Sequence, residues 1–255
     1  MTAQTDQTKC ALQICNASKR FGGNTVFREI SLSLESAAIK GVIGPNGAGK
    51  TTLINITSGQ LMPSSGAIML GNQDITNEPL HVRSQLGIVR SFQQTRTFKN
   101  ASVAENLDRA RLFRPHRPAT INNYIAELIE KCGFLGRMDQ ASDTLPYGLQ
   151  KMLGLLMTLV AQPKILLLDE PAAGLEKQER YLIDLFVQVA RAHLGCGILI
   201  VEHDMELVKR LCPYVYVLDR GQILAEGDPE TILRRKDVIE AYLGVSKEEE
   251  IPVDA

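Results

Sequence analysis

The chain has 255 residues, of which 44% are hydrophobic and 22% are charged, as in an ordinary globular protein rather than a disordered one. Its formal net charge of -1 shows no excess of basic residues, so composition gives no support to a nucleic-acid partner. Five cysteines without a Cys-x-x-Cys pair are interpreted as reduced thiols.

Two segments bear on membranes. The N-terminus, "MTAQTDQTKC", lacks the apolar core of a signal peptide. The longest notable apolar stretch, "MLGLLMTLVA" at 152–161, falls short of the roughly 20 residues that a spanning helix needs. We therefore expect a chain that does not cross a bilayer itself, although it can dock on a protein that does.

The N-terminal quarter reads as strands followed by a glycine loop and a helix. "ALQICNAS" and "REISLSLE" alternate apolar and polar residues, which predicts two strands. "IKGVIG" (39–44) predicts a buried strand, and "KTTLINITSG" (50–59) predicts a helix that ends at Gly59. This context turns "GPNGAGKTT" from a possible chance glycine turn into a candidate phosphate-binding loop.

The loop fits the pattern G-x-x-x-x-G-K-[ST]. Glycines let backbone N–H groups approach phosphate oxygens, and the helix N-terminus adds unpaired donors. In this chemistry Lys50 contacts the β- and γ-phosphates and the Thr51 hydroxyl binds Mg²⁺. The candidate residues for nucleotide binding are Gly44, Pro45, Asn46, Gly47, Ala48, Gly49, Lys50, Thr51 and Thr52.

The middle of the chain divides by composition. "MPSSGAIMLGNQDIT" (62–76) is rich in turn residues, whereas "ASVAENLDRARLF" and "TINNYIAELIEKCGFLG" have helical spacing on either side of the proline-rich "RPHRPA". "KILLLDEP" (164–171) predicts a buried parallel strand with Asp169 and Glu170 at its carboxyl end, where open α/β sheets bind ligands.

The two carboxylates receive different roles. If the extended backbone continues, they point to opposite faces. We assign Asp169 to Mg²⁺ through water and Glu170 to polarising the attacking water, with a solvated acidic pair as the alternative.

The last third predicts further strands and helices. "KQERYLIDLFVQVARAHL" (177–194) predicts an amphipathic helix between two core strands, which favours a parallel sheet. "GILIVEHDM" ends a core strand at His203, which could contact the γ-phosphate or the water, although a lone histidine is more often structural. "YVYVLDRGQILAEGDP" predicts a hairpin around 219–221, and "PETILRRKDVIEAYLG" predicts a final helix.

Taken in order, these motifs resemble the ATP-binding subunits of ABC transporters, over residues 12 to about 227. "LPYGLQKM" (145–152), placed before Asp169, resembles the family's signature, and "AGLE" (173–176) resembles its D-loop. The resemblance implies an α/β P-loop NTPase (RecA-like) core with a parallel sheet, an antiparallel β element and an inserted α-helical subdomain. It implies a single domain at 10–245, with the core at 10–92 and 160–227, the helical subdomain at 93–159, and the C-terminal helix and tail at 228–255.

The resemblance also implies roles for single residues. Gln93 in "RSFQQTRTF" matches the glutamine that contacts the metal and the catalytic site, with Gln94 as the alternative register. His203 matches the switch histidine, and Phe21 matches the aromatic residue that stacks on adenine. Tyr147 and Gly148 then contribute to the nucleotide site of a partner subunit.

The signature departs from the family's LSGGQ. Pro146, Tyr147 and Leu149 replace the serine, the first glycine and the glutamine, and Glu176 ends the D-loop where Asp or Asn is usual. Because Pro146 has neither a hydroxyl nor an N–H, we expect this turn to act through the backbone near Gly148 and the following helix N-terminus.

The resemblance implies a function. ATP and Mg²⁺ are the expected cofactors. The expected partners are a second ATPase subunit, transmembrane permease subunits and a periplasmic or extracellular substrate-binding protein, with the chain peripheral on the cytoplasmic face of the inner membrane. "DEPAAGL" and "DVIEAYLG" look like the ATPases of branched-chain amino acid importers, whose relatives serve amides and organic acids. The alternatives are a soluble ABC ATPase acting on DNA or ribosomes and a degenerate, non-hydrolysing regulator.

Overall fold

The computed structural model describes residues 10–91, 97–112 and 121–243, which form two β-sheets and their covering helices. The strands are β1 (Cys10–Phe21), β2 (Asn24–Glu35), β3 (Ile39–Ile43), β4 (Ser65–Leu70), β5 (Gln73–Asp74), β6 (Ile88–Arg90), β7 (Ile165–Asp169), β8 (Gly197–Val201), β9 (Tyr214–Asp219) and β10 (Gln222–Gly227). The α-helices are α1 (Lys50–Ser58), α2 (Leu80–Leu86), α3 (Val103–Leu112), α4 (Asn123–Lys131), α5 (Tyr147–Val160), α6 (Tyr181–Gln188), α7 (Met205–Leu211), α8 (Pro229–Ile232) and α9 (Lys236–Leu243).

The larger sheet has the strand order β10-β9-β3-β8-β7-β6. From β9 to β6 its neighbouring strands are parallel, and β10 pairs antiparallel with β9 in the predicted hairpin. Every residue of β7 and β8 is buried, because helices cover both faces of a parallel sheet. The parallel direction brings the carboxyl ends of β3, β7 and β8 to one edge, where the candidate residues follow.

The smaller sheet is antiparallel, in the order β2-β1-β4-β5. The turn-rich segment at 62–76 therefore contains two strands that its composition did not predict. Ile68 of β4 is the partner of Ile14 in β1, and both are buried. At Gly66 an added Cβ would lie 2.4 Å from the carbonyl oxygen of Asn16, so glycine is required for the strands to approach. Pairing with β1 outweighs the local turn propensity.

Two predicted helices have different limits in the structure. The segment 177–180 forms turns, α6 begins at Tyr181, and a π-helical turn, Val189–His193, follows it. The late start coincides with a separate turn in which the backbone N–H of Glu176 donates to the Glu179 carboxylate. The prediction of a single final helix is also wrong, because α8 and α9 are separate helices. Helix α2 had not been predicted.

A fully buried cation fixes the end of α1. Arg83 of α2 donates to the carbonyl oxygens of Ile56 (2.7 Å) and Thr57 (2.9 Å), which belong to the last turn of α1. It also donates to the carbonyl oxygens of Thr76 and Glu78. Carbonyls at a helix C-terminus lack partners within the helix, so a cation there stabilises it. Burial lowers the pKa of Arg83 to about 10, which leaves it charged at neutral pH.

Three observations complete the fold. The hydrophobic core lies in two layers, one between the larger sheet and α5, α6 and α7, and the other between that sheet, α1 and the smaller sheet. Among the helices in the described ranges, none has the length and hydrophobicity of a membrane-spanning segment. The four cysteines whose side chains are described are free thiols.

Candidate functional site

The loop between β3 and α1 has the backbone that its glycines permit. Gly44, Gly47 and Gly49 have φ values of 146°, 80° and 104°, a region of backbone conformation that residues other than glycine avoid. An added Cβ at Gly44 would lie 2.0 Å from the carbonyl oxygen of Leu218, whereas an added Cβ at Gly47 would meet nothing within 4 Å apart from its chain neighbours. The loop is thus tied to β9 at one end and open at its middle. Its other predicted binding residues are half-buried (Pro45 and Thr52), exposed (Asn46 and Thr51) or buried (Ala48).

Lys50 is buried at the start of α1. Its ammonium donates to the carbonyl oxygens of Gly44 (2.7 Å) and Pro45 (2.9 Å) in the same loop. Burial lowers the pKa of Lys50, and the charges of Glu170 and Asp169 oppose that shift. The structure therefore brings the predicted lysine and both predicted carboxylates into one electrostatic neighbourhood.

Asp169 ends β7 and is almost fully buried. Its Oδ2 accepts a hydrogen bond from Nη2 of Arg90 at 2.8 Å, and the pair is buried on both sides. Arg90 also donates to Asn55 and Gln60, so it connects α1 to the end of β7. Sequence reasoning did not identify Arg90, whose signal would have been its place at the end of the next strand, β6.

Glu170 does not continue the strand. Its φ is 50°, and its N–H donates to the carbonyl oxygen of Val201 at 2.9 Å. We expected Asp169 and Glu170 to point to opposite faces if the extended backbone continued, and the backbone does not continue as extended at Glu170. Oε1 of Glu170 lies 2.8 Å from Nε2 of His203, which follows β8. The structure thus pairs the predicted water-polarising carboxylate with the predicted switch histidine.

Two buried charges near this pair were missed. Glu202 accepts hydrogen bonds from the backbone N–H groups of Ala172 (3.1 Å) and His203 (2.9 Å), which ties the ends of β7 and β8 together. Lys151 of α5 donates to the carbonyl oxygens of Glu170 (2.9 Å) and Ala173 (2.7 Å). The signal for Glu202 was a carboxylate directly before His203 at the end of a buried strand.

The signature turn, defined here as residues 146–151, packs on its own chain. Pro146 is the N-cap residue of α5 and makes no side-chain cap. An added Cβ at Gly174 would lie 2.6 Å from the half-exposed ring of Tyr147. An added Cβ at Gly148 would lie 2.3 Å from Oε1 of Glu179. Tyr147 and Gly148 therefore lie against the segment after β7, residues 170–179.

The remaining predicted residues lie apart. The ring of Phe21 is 48% exposed, and the ammonium of Lys19 lies 4.9 Å from its centroid. Gln93 and its alternative Gln94 lie outside the described residues. A strand, a glycine loop and a helix with a buried lysine, beside a buried aspartate on a neighbouring parallel strand, define a P-loop nucleoside triphosphatase fold.

Comparison with known proteins narrows this class. The family model "ABC transporter" matches residues 27–173, and the model "Branched-chain amino acid ATP-binding cassette transporter" matches residues 222–248. The high-affinity branched-chain amino acid transport ATP-binding protein LivG of Escherichia coli K12 is 36% identical over 249 residues, 91% of this chain and 97% of the relative. BraF of Pseudomonas aeruginosa, which has the same description, is 34% identical over 252 residues, 91% of this chain and 97% of the relative.

A solved structure agrees with these relatives. The ADP conformation of MJ1267, an ATP-binding cassette of an ABC transporter, superposes with a TM-score of 0.79 at 29% identity, covering 92% of this chain and 99% of that chain. The chain belongs to the family of ABC transporter ATP-binding subunits, which bind nucleotide and hydrolyse ATP to power transport through transmembrane permease partners. The prediction of a transporter ATPase is confirmed, and the comparisons do not support the alternatives.

Proposed function

We propose that this chain energises the import of branched-chain amino acids, or of related amides and organic acids, as one of two ATPase subunits on the cytoplasmic face of the inner membrane. The hydrogen bond between Glu170 and His203, at the sheet edge that also carries Lys50 and Asp169, is the observation that carries its catalytic part. The match at 222–248 and the names of the relatives support the substrate class.

The residues present fit a nucleoside triphosphate and Mg²⁺. The open middle of the phosphate loop and the ammonium of Lys50 supply donors for phosphate oxygens, and exposed Phe21 supplies a ring for adenine. Mg²⁺ binds oxygen ligands and usually takes one or two carboxylates together with phosphate oxygens. We assign this role to the Thr51 hydroxyl, to Asp169 through water and, by the resemblance, to Gln93, which lies outside the described residues. Bound Mg²⁺ would neutralise charge on the β- and γ-phosphates.

Hydrolysis then depends on Glu170 and His203. With Nε2 protonated, His203 donates to one carboxylate oxygen of Glu170 and fixes the orientation of the carboxylate. The other carboxylate oxygen is the one that we assign to the attacking water, whose proton it accepts as the oxygen approaches phosphorus. Lys50 stabilises the negative charge of the transferred phosphoryl group.

The signature turn and a neighbouring cavity support the proposed partners. Tyr147 is half-exposed at the first turn of α5, where a second subunit would present its nucleotide. The resemblance implies that the permease is held by the glutamine loop and the helical subdomain. A cavity of about 390 Å³ lies between β6, α3 and α5, lined mainly by apolar groups that include Phe98 and Leu155. We assign the docking of a permease segment to this cavity, and a substrate-binding protein to the far side of the membrane.

The dimer is tested with Glu170→Gln in size-exclusion chromatography with light scattering. Addition of Mg-ATP should double the measured mass, because the variant retains bound ATP. The double variant Glu170→Gln/Lys50→Ala is the matched control and should stay a monomer. A mass that does not change although ATP is bound would overturn self-association.

The substrate class is tested by uptake of radiolabelled leucine, isoleucine and valine in cells that lack this chain. Uptake should fall and should be restored by the wild-type chain but not by Glu170→Gln. Unchanged uptake of all three amino acids would overturn the branched-chain assignment. The amide and organic-acid classes would then be assayed in the same cells.

A further inference from the structure

The first turn of α5 contacts the segment after β7 at three points on one helix face. The ring of Tyr147 packs against Gly174, and the Glu179 carboxylate packs against Gly148. The ammonium of Lys151 donates hydrogen bonds to two carbonyl oxygens of the segment. Lys151 lies four residues beyond Tyr147 and three beyond Gly148, and both spacings place residues side by side on an α-helix. The signature turn is therefore joined to residues 170–179 by side chains of the same subunit.

Lys151 makes the deepest of these contacts. Its side chain is buried, and its ammonium donates to the carbonyl oxygen of Glu170 at 2.9 Å and to that of Ala173 at 2.7 Å. The N–H of Ala173 donates to the carbonyl oxygen of Glu170, so these residues close a tight turn. Lys151 thus bonds to both ends of the turn that begins at Glu170.

A buried lysine at this position costs desolvation free energy. Burial lowers the pKa of Lys151, and the charges of Glu202, Glu170 and Asp169 oppose that shift. The nearest buried positions of α5 hold apolar side chains, such as Met152, Leu153 and Leu155, whose burial needs no hydrogen-bond partner. What the ammonium adds over an apolar side chain is its set of donors for the turn.

The turn that Lys151 holds contains an unfavourable backbone. Glu170 has a φ of 50°, which non-glycine residues adopt only when the surroundings impose it. The same backbone directs the Glu170 carboxylate to His203, at 2.8 Å. A loss of the Lys151 bonds would let the peptide of Glu170 relax and would misalign the carboxylate.

We propose that Lys151 is a positioning residue for ATP hydrolysis, which holds the backbone of Glu170 in its left-handed conformation and couples it to the signature turn. The inference rests on the proposed role of Glu170. The coupling is mechanical: when the N-terminal part of α5 moves, the ammonium of Lys151 transmits the displacement to the carbonyl oxygen of Glu170. The signature turn of a subunit then influences hydrolysis at that subunit's own Glu170.

The test compares three variants of the full chain by steady-state ATP hydrolysis. Lys151→Met keeps the length and apolar stem but removes the donors, and its kcat should fall by about tenfold or more, as for a small misplacement of a catalytic group. KM for ATP should stay within about twofold, because no nucleotide contact is lost. Lys151→Arg, which keeps two or more donors, should recover most of the lost turnover.

Lys40→Met is the matched control. Lys40 of β3 is also largely buried and paired, with Glu35 at 3.0 Å, but it lies away from Glu170, so this variant should retain kcat. Equal losses in Lys40→Met and Lys151→Met would overturn the proposal. So would an unchanged kcat per folded molecule of Lys151→Met, or a change in kcat accompanied by an equal change in KM.

Two further measurements separate the possible failures. If Lys151→Met does not fold, Lys151→Gln replaces it. The shorter side chain reaches one carbonyl, so its kcat should lie below that of Lys151→Arg at equal KM, and equal kcat values would refute the positioning role. Turnover of Glu170→Gln is measured in parallel. Normal turnover there would refute the role of Glu170 itself, whereas slow turnover there with normal turnover in Lys151→Met would refute only the inference about Lys151.

Discussion

The phosphate loop and the signature turn are both helix N-termini, yet they are built differently. Helix α1 begins at Lys50 after a loop of glycines, and an added Cβ at Gly47 would meet no other residue within 4 Å apart from its chain neighbours. Helix α5 begins at Tyr147 after a proline, and the space beside Gly148 holds the Glu179 carboxylate. The first helix start leaves room for an anion, whereas the second is packed by residues of its own chain.

This difference shows how the two motifs tolerate change. In the phosphate loop the chemistry depends on one charged side chain and on backbone that only glycine adopts. In the signature turn the side chain of Pro146 makes no cap, and Gly148 matters for the room that it leaves. Substitutions should therefore be severe in the first motif and graded in the second.

Lys50→Ala should have the largest effect. The variant removes the cation that faces the phosphates, and we expect ATP affinity to fall by roughly a hundredfold or more, as when a buried charge partner is truncated. Isothermal titration calorimetry with Mg-ATP measures it. Lys40→Ala removes a comparable lysine outside the loop and should bind normally. Equal affinity in Lys50→Ala and the wild type would refute the assignment of the loop.

Glu170→Gln should separate binding from hydrolysis. The amide keeps the shape of the carboxylate but cannot accept the proton of the water, so turnover should fall at least about a hundredfold. ATP affinity should be retained, which a phosphate-release assay and calorimetry establish together. Glu230→Gln, at an exposed carboxylate of α8 outside these motifs, is the control. Near-normal turnover would move the catalytic role to another residue.

Gly148→Ala probes the packed helix start. The new Cβ displaces the Glu179 carboxylate, which then loses its hydrogen bond from the N–H of Glu176 at 3.0 Å. Gly148→Ala and Glu179→Ala should each lower the free energy of unfolding by about 1 kcal/mol. Because both break the same contact, the double variant should lose no more than the larger single loss. Additive losses in urea denaturation would contradict this contact.

Pro146→Ser should have the smallest effect. A serine at the N-cap can accept from the backbone of α5 and add up to about 1 kcal/mol, while the loss of proline costs a similar amount through the unfolded chain. The free energy of unfolding should therefore change by less than about 1 kcal/mol, with turnover within about twofold of the wild type. Loss of ATPase activity would show that backbone donors do not carry the function of this turn.

The sequence predicts the features that depend on neighbours along the chain. The strand–loop–helix at 39–58, the buried strand before Asp169 and the hairpin at 214–227 follow local patterns, and the structure has all three. Strands β4 and β5 could not be predicted from 62–76, since β4 exists by pairing with β1, about fifty residues earlier, and β5 by pairing with β4.

The site shows the same limit. Lys50, Asp169, Glu170 and His203 were identified because each ends or follows a recognisable strand. The bonds of Lys151 to Glu170 and of Arg90 to Asp169 span 19 and 79 residues. The sequence does not show which lysine or arginine forms such a bond, because a buried lysine or arginine has the same letter as an exposed one. The left-handed backbone of Glu170 is likewise imposed by its surroundings.

The hydrogen bonds of Lys50 in the phosphate loop have a consequence for ligand selection. Its ammonium already has two acceptors, the carbonyl oxygens of Gly44 and Pro45. An incoming ligand must replace them, and a neutral group offers no gain over a carbonyl, whereas a polyphosphate offers full negative charges. Adenosine alone should therefore compete poorly with ADP. The loop therefore discriminates by charge before the base or the sugar contributes.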